Sequence, residues 1–237
     1  MVKPSSFMDK DHSDLVKEHF EVKYYDYDAL IRKLIPQYKE MHKSVIDLVE
    51  TASEKPALLD LGIGTGETAL HLLKKYPQAT IDGFDISPKM IEQGKARLQD
   101  KVHQVHFTEQ DIKHLDLGES TYDAGVAVLS VHHLTAEQKQ KLFKEIFNHL
   151  REDGVFVLGD IIKFDSKEET VRQEGVWRAF LIENLGPEEG KYWFDNYKEE
   201  DLPNSVNEQL LWLKDAGFSD AKSVWKYMNY AVFFAKK

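Results

Sequence analysis

The sequence predicts an α/β fold: a doubly wound, mostly parallel sheet of seven strands, with a helical N-terminal segment and a helical lid. Three observations predict it. From Ala57 onward, short apolar runs alternate with amphipathic stretches across short loops, the pattern of parallel strands joined by crossover helices. The run Tyr122–Leu129 is almost continuously apolar, as a strand buried on both faces must be. The run Leu58–Leu61 leads straight into Gly62, Gly64 and Gly66, residues that tolerate positive φ and let a ligand approach the backbone.

The elements follow in chain order. Residues 13–51 read as helical and break near Pro36, which disfavours helix at Ile35 and opens a new helix. Over 37–52, Tyr38, Met41, Val45, Ile46, Leu48 and Val49 recur at roughly helical spacing. Ala57–Leu61 is the first strand, and Glu67–Tyr76 is an amphipathic helix closed by Pro77. Thr80–Ile86 is the second strand. Ser87 caps the helix that runs to Leu98, with Pro88 at its first position. Val102–Thr108 alternates with period two as a third strand, and Tyr122–Leu129 is the fourth. Thr135 caps a helix over 136–150, and Gly154 precedes the fifth strand, Val155–Ile162. Residues 165–203 break the rhythm: they are charged yet rich in aromatics, and read as helices forming a lid over the sheet's edge. The helix Val206–Ala216 is stopped by Gly217. Strands near 220–228 and 230–236, joined at Asn229, form an antiparallel hairpin. The chain 1–237 reads as one domain: N-terminal helices (1–55), a cofactor-binding core (56–163), the lid (164–204), and a C-terminal helix with the hairpin (205–237).

Composition narrows the function. Hydrophobic residues at 42% suffice for a core. With 31 basic and 41 acidic residues the formal charge is −10, which repels phosphate backbones and disfavours a nucleic-acid partner. The absence of cysteine removes disulfides, a thiolate nucleophile and cysteine metal sites. Met1–Lys17 is polar, and the longest apolar runs, Ala124–Leu129 and Tyr230–Ala235, are too short to span a bilayer. The expectation is a cytoplasmic protein without a membrane partner.

The glycine turn gains meaning from its neighbours. Asp85 ends the second strand, 19 residues beyond Gly66, where a carboxylate can accept from both hydroxyls of a ribose. Asp111 follows the third strand, where it can accept from an adenine amino group. A dinucleotide fingerprint has glycine or alanine where Glu67 stands. In the first turn of a helix, that charge repels a pyrophosphate. A zwitterionic amino acid carries an ammonium that tolerates Asp60 and Glu67, so the predicted cofactor is S-adenosyl-L-methionine.

Asp60-Leu-Gly-Ile-Gly-Thr-Gly66, Asp85-Ile-Ser-Pro-Lys-Met90, Gln110-Asp-Ile112 and Leu150-Arg-Glu-Asp-Gly154 resemble, in order, the motifs of class I S-adenosylmethionine-dependent methyltransferases, whose sheet is Rossmann-like. The resemblance covers about residues 57–163. Tyr27-Asp28, Arg32-Lys-Leu-Ile-Pro36-Gln-Tyr38 and Leu213-Lys-Asp-Ala-Gly-Phe218 look like the branch that includes the carboxy-S-adenosylmethionine synthase of tRNA wobble-uridine modification. That resemblance implies cofactor contacts from Tyr38, Gly62, Ile63, Gly64, Asp85 with Ile86, and Asp111 with Ile112. The branch's fourth-strand asparagine falls on Ser130. Tyr27, Asp60 and Met90 are counted with the cofactor residues; Tyr24, Tyr25 and Tyr27 either fold over the cofactor or pack as core. One departure matters: the branch pairs an extra carboxylate with an arginine, and Trp212 stands there. Tryptophan cannot form that ion pair, which favours the unmodified cofactor and methyl transfer.

Methyl transfer from a sulfonium needs orientation, exclusion of water and removal of the acceptor's proton. His132 and His133, just after the fourth strand, and Asp160, near the end of the fifth, are the candidate bases. The bland alternative is that the histidines line the pocket or cap a helix. His103 and His106 have no acidic partner nearby, so no metal site is expected. Trp177, Phe180, Tyr192, Trp193 and Trp212 suit an apolar or aromatic small-molecule acceptor, or else a homodimer contact or a local core. The leading expectation is methyl transfer to an O, N or S atom of a small molecule. Its rivals are a tRNA-modifying enzyme, carboxy-S-adenosylmethionine synthesis and a non-catalytic nucleoside-binding protein.

Overall fold

The computed structural model describes residues 27–237. The helical reading of residues 13–26, with Tyr24 and Tyr25, lies outside the described residues. Two helices lead the described chain, α1 (Tyr27–Leu34) and α2 (Tyr38–Leu48). They break at Pro36, where Gln37 takes a left-handed φ of 58°. Then β1 (Ala57–Leu61), α3 (Glu67–Lys75), β2 (Thr80–Asp85), α4 (Pro88–Leu98), β3 (Val105–Glu109), β4 (Tyr122–Val128), α5 (Ala136–His149) and β5 (Leu150–Lys163) follow. The lid is α6 (Lys167–Leu185) and α7 (Pro187–Glu200). The chain closes with β6 (Asn204–Ser205), α8 (Val206–Ala216), β7 (Asp220–Tyr227) and β8 (Tyr230–Lys236).

The sheet order is β3-β2-β1-β4-β5-β8-β7, with β6 beside β5. Strands β1 to β5 run parallel; β8 is antiparallel to both β5 and β7. The sheet therefore has eight strands, not the expected seven, because a two-residue strand carries no period-two signal. The chain steps outward from β1 to β3 and then returns to place β4 on the other side of β1. Between β1 and β4 the order reverses, and there a crevice opens at the carboxyl ends of the strands.

Alternation along β5 divides the core. Val155 and Val157 face a cluster that holds Met41, Val45, Leu72 and Trp177. Phe156 and Leu158 face a second cluster with Phe143, Ile146 and Leu213. Helices cover both faces, as a doubly wound sheet requires. Each such buried side chain contributes roughly 1.5–3 kcal/mol.

The caps explain the helix starts. Ser87 Oγ accepts from Met90 N–H at 3.3 Å. Thr135 and Gln138 form a reciprocal capping box. Gly217, at φ 119°, ends α8. Several boundaries differ from expectation. Residues 99–104 wind into a 3-10 turn, so the third strand starts at Val105. The fifth strand starts at Leu150, which pairs with Tyr122 before a register shift absorbs Asp153 at φ 64°. The hairpin turns through Met228 and Asn229, with Met228 at φ 47°.

The lid does not cover an edge of the sheet, whose edge strands are β3 and β7. Trp177 Nε1–H donates to the Leu34 carbonyl at 2.9 Å, and its ring meets Tyr230 of the interior strand β8 edge-on at 6.0 Å. The lid thus fastens to α1 over the crevice side. Trp212 is not one of its aromatics: it sits on α8 and packs against the other cluster. Among the described residues no helix is long and apolar enough to cross a membrane.

Candidate functional site

The turn after β1 is shaped by what surrounds it. Gly62 has φ 74°, and a Cβ there would fall 2.3 Å from Ser130 Cβ. Ser130, at the end of β4, donates to the Leu61 carbonyl at 2.7 Å. Gly64 has φ 52°, and its Cβ would point past Met90 Cε (3.5 Å) toward Asp85 Oδ2 (3.9 Å). Gly64 N–H donates to Asp85 Oδ2 at 2.8 Å, and Ser87 N–H donates to Oδ1 at 2.9 Å. One carboxylate thereby ties the glycine turn to the start of α4. Burial raises the Asp85 pKa and the backbone donors oppose that rise. The carboxylate also faces a cavity. Asp111 Oδ1 accepts from Lys113 N–H at 3.0 Å, and Lys113 Nζ stands 3.3 Å from Oδ2.

These groups surround one cavity. Tyr27, Tyr38, Gly62, Ile63, Gly64, Asp85, Ile86, Met90, Asp111, Ile112 and Ser130 all line it. Asp60 does not. It is 1% exposed, and burial, with Asp85's charge behind it, pushes its pKa up to about 8. Burial under the turn thus favours its neutral form, which weakens it as the anionic neighbour expected beside an ammonium. Sequence reasoning also missed Asp28 and Thr65. Asp28 on α1 accepts from Thr65 Oγ1 at 2.8 Å and pairs with Arg97, so α1 roofs the cavity. Glu67 accepts from Tyr38 Oη at 3.0 Å and pairs with Arg32 at 2.7 Å. Its charge is therefore partly balanced, which weakens it as a ground for refusing a pyrophosphate.

A second cavity adjoins the first. Tyr27, Ile31, Leu129 and His133 line both. His132 lines only the second, and Asp160 stands behind it. His132 Nδ1 lies 2.5 Å from Asp160 Oδ1, which also accepts from Ile161 N–H at 2.8 Å. Burial opposes charge on the His132 ring, yet Asp160 and Asp201 together hold its pKa above the ordinary histidine value. A donor at Nδ1 leaves Nε2 as the acceptor of the neutral ring.

Asp201 and Glu200, at the end of the lid, were not anticipated. Asp201 Oδ1 is 3.7 Å from His132 Nε2 and 3.4 Å from His133 Nδ1. Burial, then repulsion from Asp160, pushes the Asp201 pKa up to about 6 against the pull of His132. Burial and Asp201 push Glu200 up to about 7. Leu202 N–H donates to the His132 carbonyl at 2.8 Å, and the buried Lys139 ammonium holds the Leu202 carbonyl (2.5 Å) and Asn204 Oδ1 (2.7 Å). No local pattern shows that residue 201 returns to residue 132. His132, His133 and Asp201 bring three nitrogen and oxygen atoms within 4.8 Å of one another, a spacing compatible with a cation. The expectation of no metal site considered only His103 and His106, both exposed and outside either cavity.

Residues 58–154 match the family described as a methyltransferase domain. The similarity to methyltransferases thus covers the sheet from β1 to the start of β5. The chain is 27% identical over 214 residues to a carboxy-S-adenosyl-L-methionine synthase from Nautilia profundicola, covering 89% of this chain and 90% of that one. Its fold is shared with an O-methyltransferase family protein from Burkholderia thailandensis (TM-score 0.62, 14% identity, 84% of this chain and 55% of that one). It is also shared with human N-acetylserotonin methyltransferase in complex with S-adenosylmethionine (TM-score 0.57, 20% identity, 83% and 51%). The chain thus spans just over half the length of these solved structures. Its cofactor is S-adenosyl-L-methionine, and the first cavity fits one: it offers a glycine cradle that a Cβ would fill, and carboxylates toward a ligand bearing sulfonium and ammonium charges.

Proposed function

We propose that the chain transfers a methyl group to an O, N or S atom of a small-molecule acceptor held in the second cavity. One observation carries this reading: the two cavities meet at Tyr27, Ile31, Leu129 and His133, so a ligand in each would bring their reactive ends together. In the first cavity Asp85 holds the ribose hydroxyls and Asp111 the adenine amino group. Gly62, Ile63, Gly64 and Ser130 supply the floor, Ile86, Met90 and Ile112 the apolar walls, and Tyr27 and Tyr38 the roof. When bound, the cofactor supplies a methyl group already activated by its sulfonium. His132 takes the acceptor's proton at Nε2, and Asp160 is its positioning residue, fixing the tautomer through Nδ1–H. The lid and α1 exclude water.

The similarity to carboxy-S-adenosyl-L-methionine synthases raises a second reading. Binding an additional carboxylate calls for a cation. No lysine or arginine lines either cavity among the described residues, and Trp212 packs on the far face. That supports the unmodified cofactor. The test is a panel of phenols, thiols, amines and carboxylic acids assayed with methyl-labelled cofactor. Label should pass to at least one class, and His132→Ala should lower turnover by about 10²–10⁴-fold while leaving cofactor affinity intact. Cofactor binding without transfer to any class would sink the proposal.

A further inference from the structure

His132 and His133 turn two different ring nitrogens toward one carboxylate oxygen. His132 Nε2 lies 3.7 Å and His133 Nδ1 3.4 Å from Asp201 Oδ1, and the three atoms fall within 4.8 Å of one another. Both separations exceed the roughly 2.7–3.2 Å of an ordinary N–H···O bond. Two ligand atoms on one tetrahedral cation, each about 2.0–2.2 Å from it, stand about 3.3–3.6 Å apart. The spacing is therefore close to that of groups arranged around a shared ion. The rear of the cluster is built for the same task. His132 Nδ1 faces Asp160 Oδ1 at 2.5 Å, and that oxygen also accepts from Ile161 N–H at 2.8 Å. A histidine that ligates a metal ordinarily donates its other ring N–H to a carboxylate, which fixes the tautomer and aims the ligating nitrogen.

The segments that carry the three groups are tied together. Leu202 N–H donates to the His132 carbonyl at 2.8 Å, and Lys139 Nζ holds the Leu202 carbonyl. Asp201 is thus held opposite the histidines by the fold itself. The Lys139 ammonium is the one positive charge felt by Asp201 apart from His132, and the Asp160 and Asp201 carboxylates outweigh it. All three groups line the second cavity, which leaves a fourth coordination position open to it. Two imidazoles and one carboxylate form a donor set that suits Zn²⁺ and its first-row neighbours better than Mg²⁺ or Ca²⁺. We propose that His132 Nε2, His133 Nδ1 and Asp201 Oδ1 form a binding site for a divalent transition cation of the Zn²⁺ type, and that its occupation inhibits transfer. The cation and the acceptor's proton compete for one lone pair, that of His132 Nε2. The inhibition rests on the reading of His132 as the base; the site itself does not.

The probe is Zn²⁺, titrated calorimetrically into the full chain, with Co²⁺ as its visible reporter. One equivalent should bind, Co²⁺ should show the intense visible bands of a four-coordinate ion, and Mg²⁺ should not compete. His133→Ala and Asp201→Asn should each weaken that equivalent at least about tenfold, and Asp160→Asn, which touches no ion, about 10–100-fold. Undiminished S-adenosylhomocysteine binding in each metal-free variant shows that it has folded, and if Asp160→Asn does not fold, His133→Ala decides. Absence of a bound equivalent, equal competition by Mg²⁺, or affinity unchanged in His133→Ala, as at exposed histidines such as His103 and His106, would overturn the site. On an acceptor that the panel identifies, one equivalent of Zn²⁺ should lower turnover by about 10²-fold or more, reversibly on chelation. Zn²⁺ bound at this site with turnover unchanged would overturn the inhibition and remove His132 as the base. Failure of Zn²⁺ to bind would overturn this inference alone and leave the acceptor reading standing.

Discussion

Replacing Asp85 by alanine is the sharpest probe of the cofactor site. In the folded chain its two oxygens accept from Gly64 N–H at 2.8 Å and Ser87 N–H at 2.9 Å. The carboxylate also lines the cavity, where it is assigned to the ribose. A hydrogen bond to a charged acceptor contributes about 1.5–3 kcal/mol net, and water entering the vacated space recovers part of it. The two ribose bonds together should therefore cost about 1–3 kcal/mol, or roughly 5–150-fold in Kd. The same substitution orphans the Gly64 and Ser87 donors, which are lost with or without ligand, so the melting temperature should fall as well. Calorimetric titration of S-adenosylmethionine and S-adenosylhomocysteine, with thermal denaturation on the same samples, separates the two effects. A lowered melting temperature with unchanged Kd for both ligands would mean that Asp85 only braces the turn and that the ribose lies elsewhere.

Gly64→Val should abolish measurable cofactor binding while costing roughly 1–2 kcal/mol of stability, since the site has room for a Cβ but holds φ at 52°; normal binding would show that the turn does not touch the cofactor. Asp60→Asn tests the buried acid. A carboxyl raised from 3.8 to about 8 contributes stability that is present below about pH 4 and lost as pH rises through about 8. The non-ionising variant should therefore gain on wild type across that window, by at most about 1.4 kcal/mol per pH unit, and melting curves at pH 5 and 8 that shift in parallel would refute this. Turnover should rise with pH as His132 loses its proton, with a midpoint above the ordinary histidine value because Asp160 and Asp201 favour the charged ring. Asp160→Asn removes one of those charges and should move the midpoint down, and an unmoved midpoint would remove His132 from the proton path.

Local pattern and periodicity determined much of this protein. Apolar runs set by the two-residue strand period, caps such as Ser87 and Thr135, and stops such as Gly217 are properties of adjacent residues. So is the glycine turn with Asp85 and Asp111, because each sits at the end of its own strand and parallel strands bring those ends together. Nearly every residue expected at the cofactor lines one cavity for that reason. Asp60 is the exception: it lies within the strand, and inward or outward placement there depends on packing of the sheet. The acceptor side was illegible because it joins segments far apart in sequence. Asp201 reaches His132 across the whole lid, Tyr230 reaches the same cavity from the last strand, and Trp212 is drawn to the opposite face by its own helix. Charge and hydropathy marked the lid as unusual, but only the closing of α6 and α7 over the crevice decided which of its side chains face the site. That closing is fixed by contacts such as Trp177 on Leu34 and Lys139 on Leu202, long-range bonds that no local signal announces.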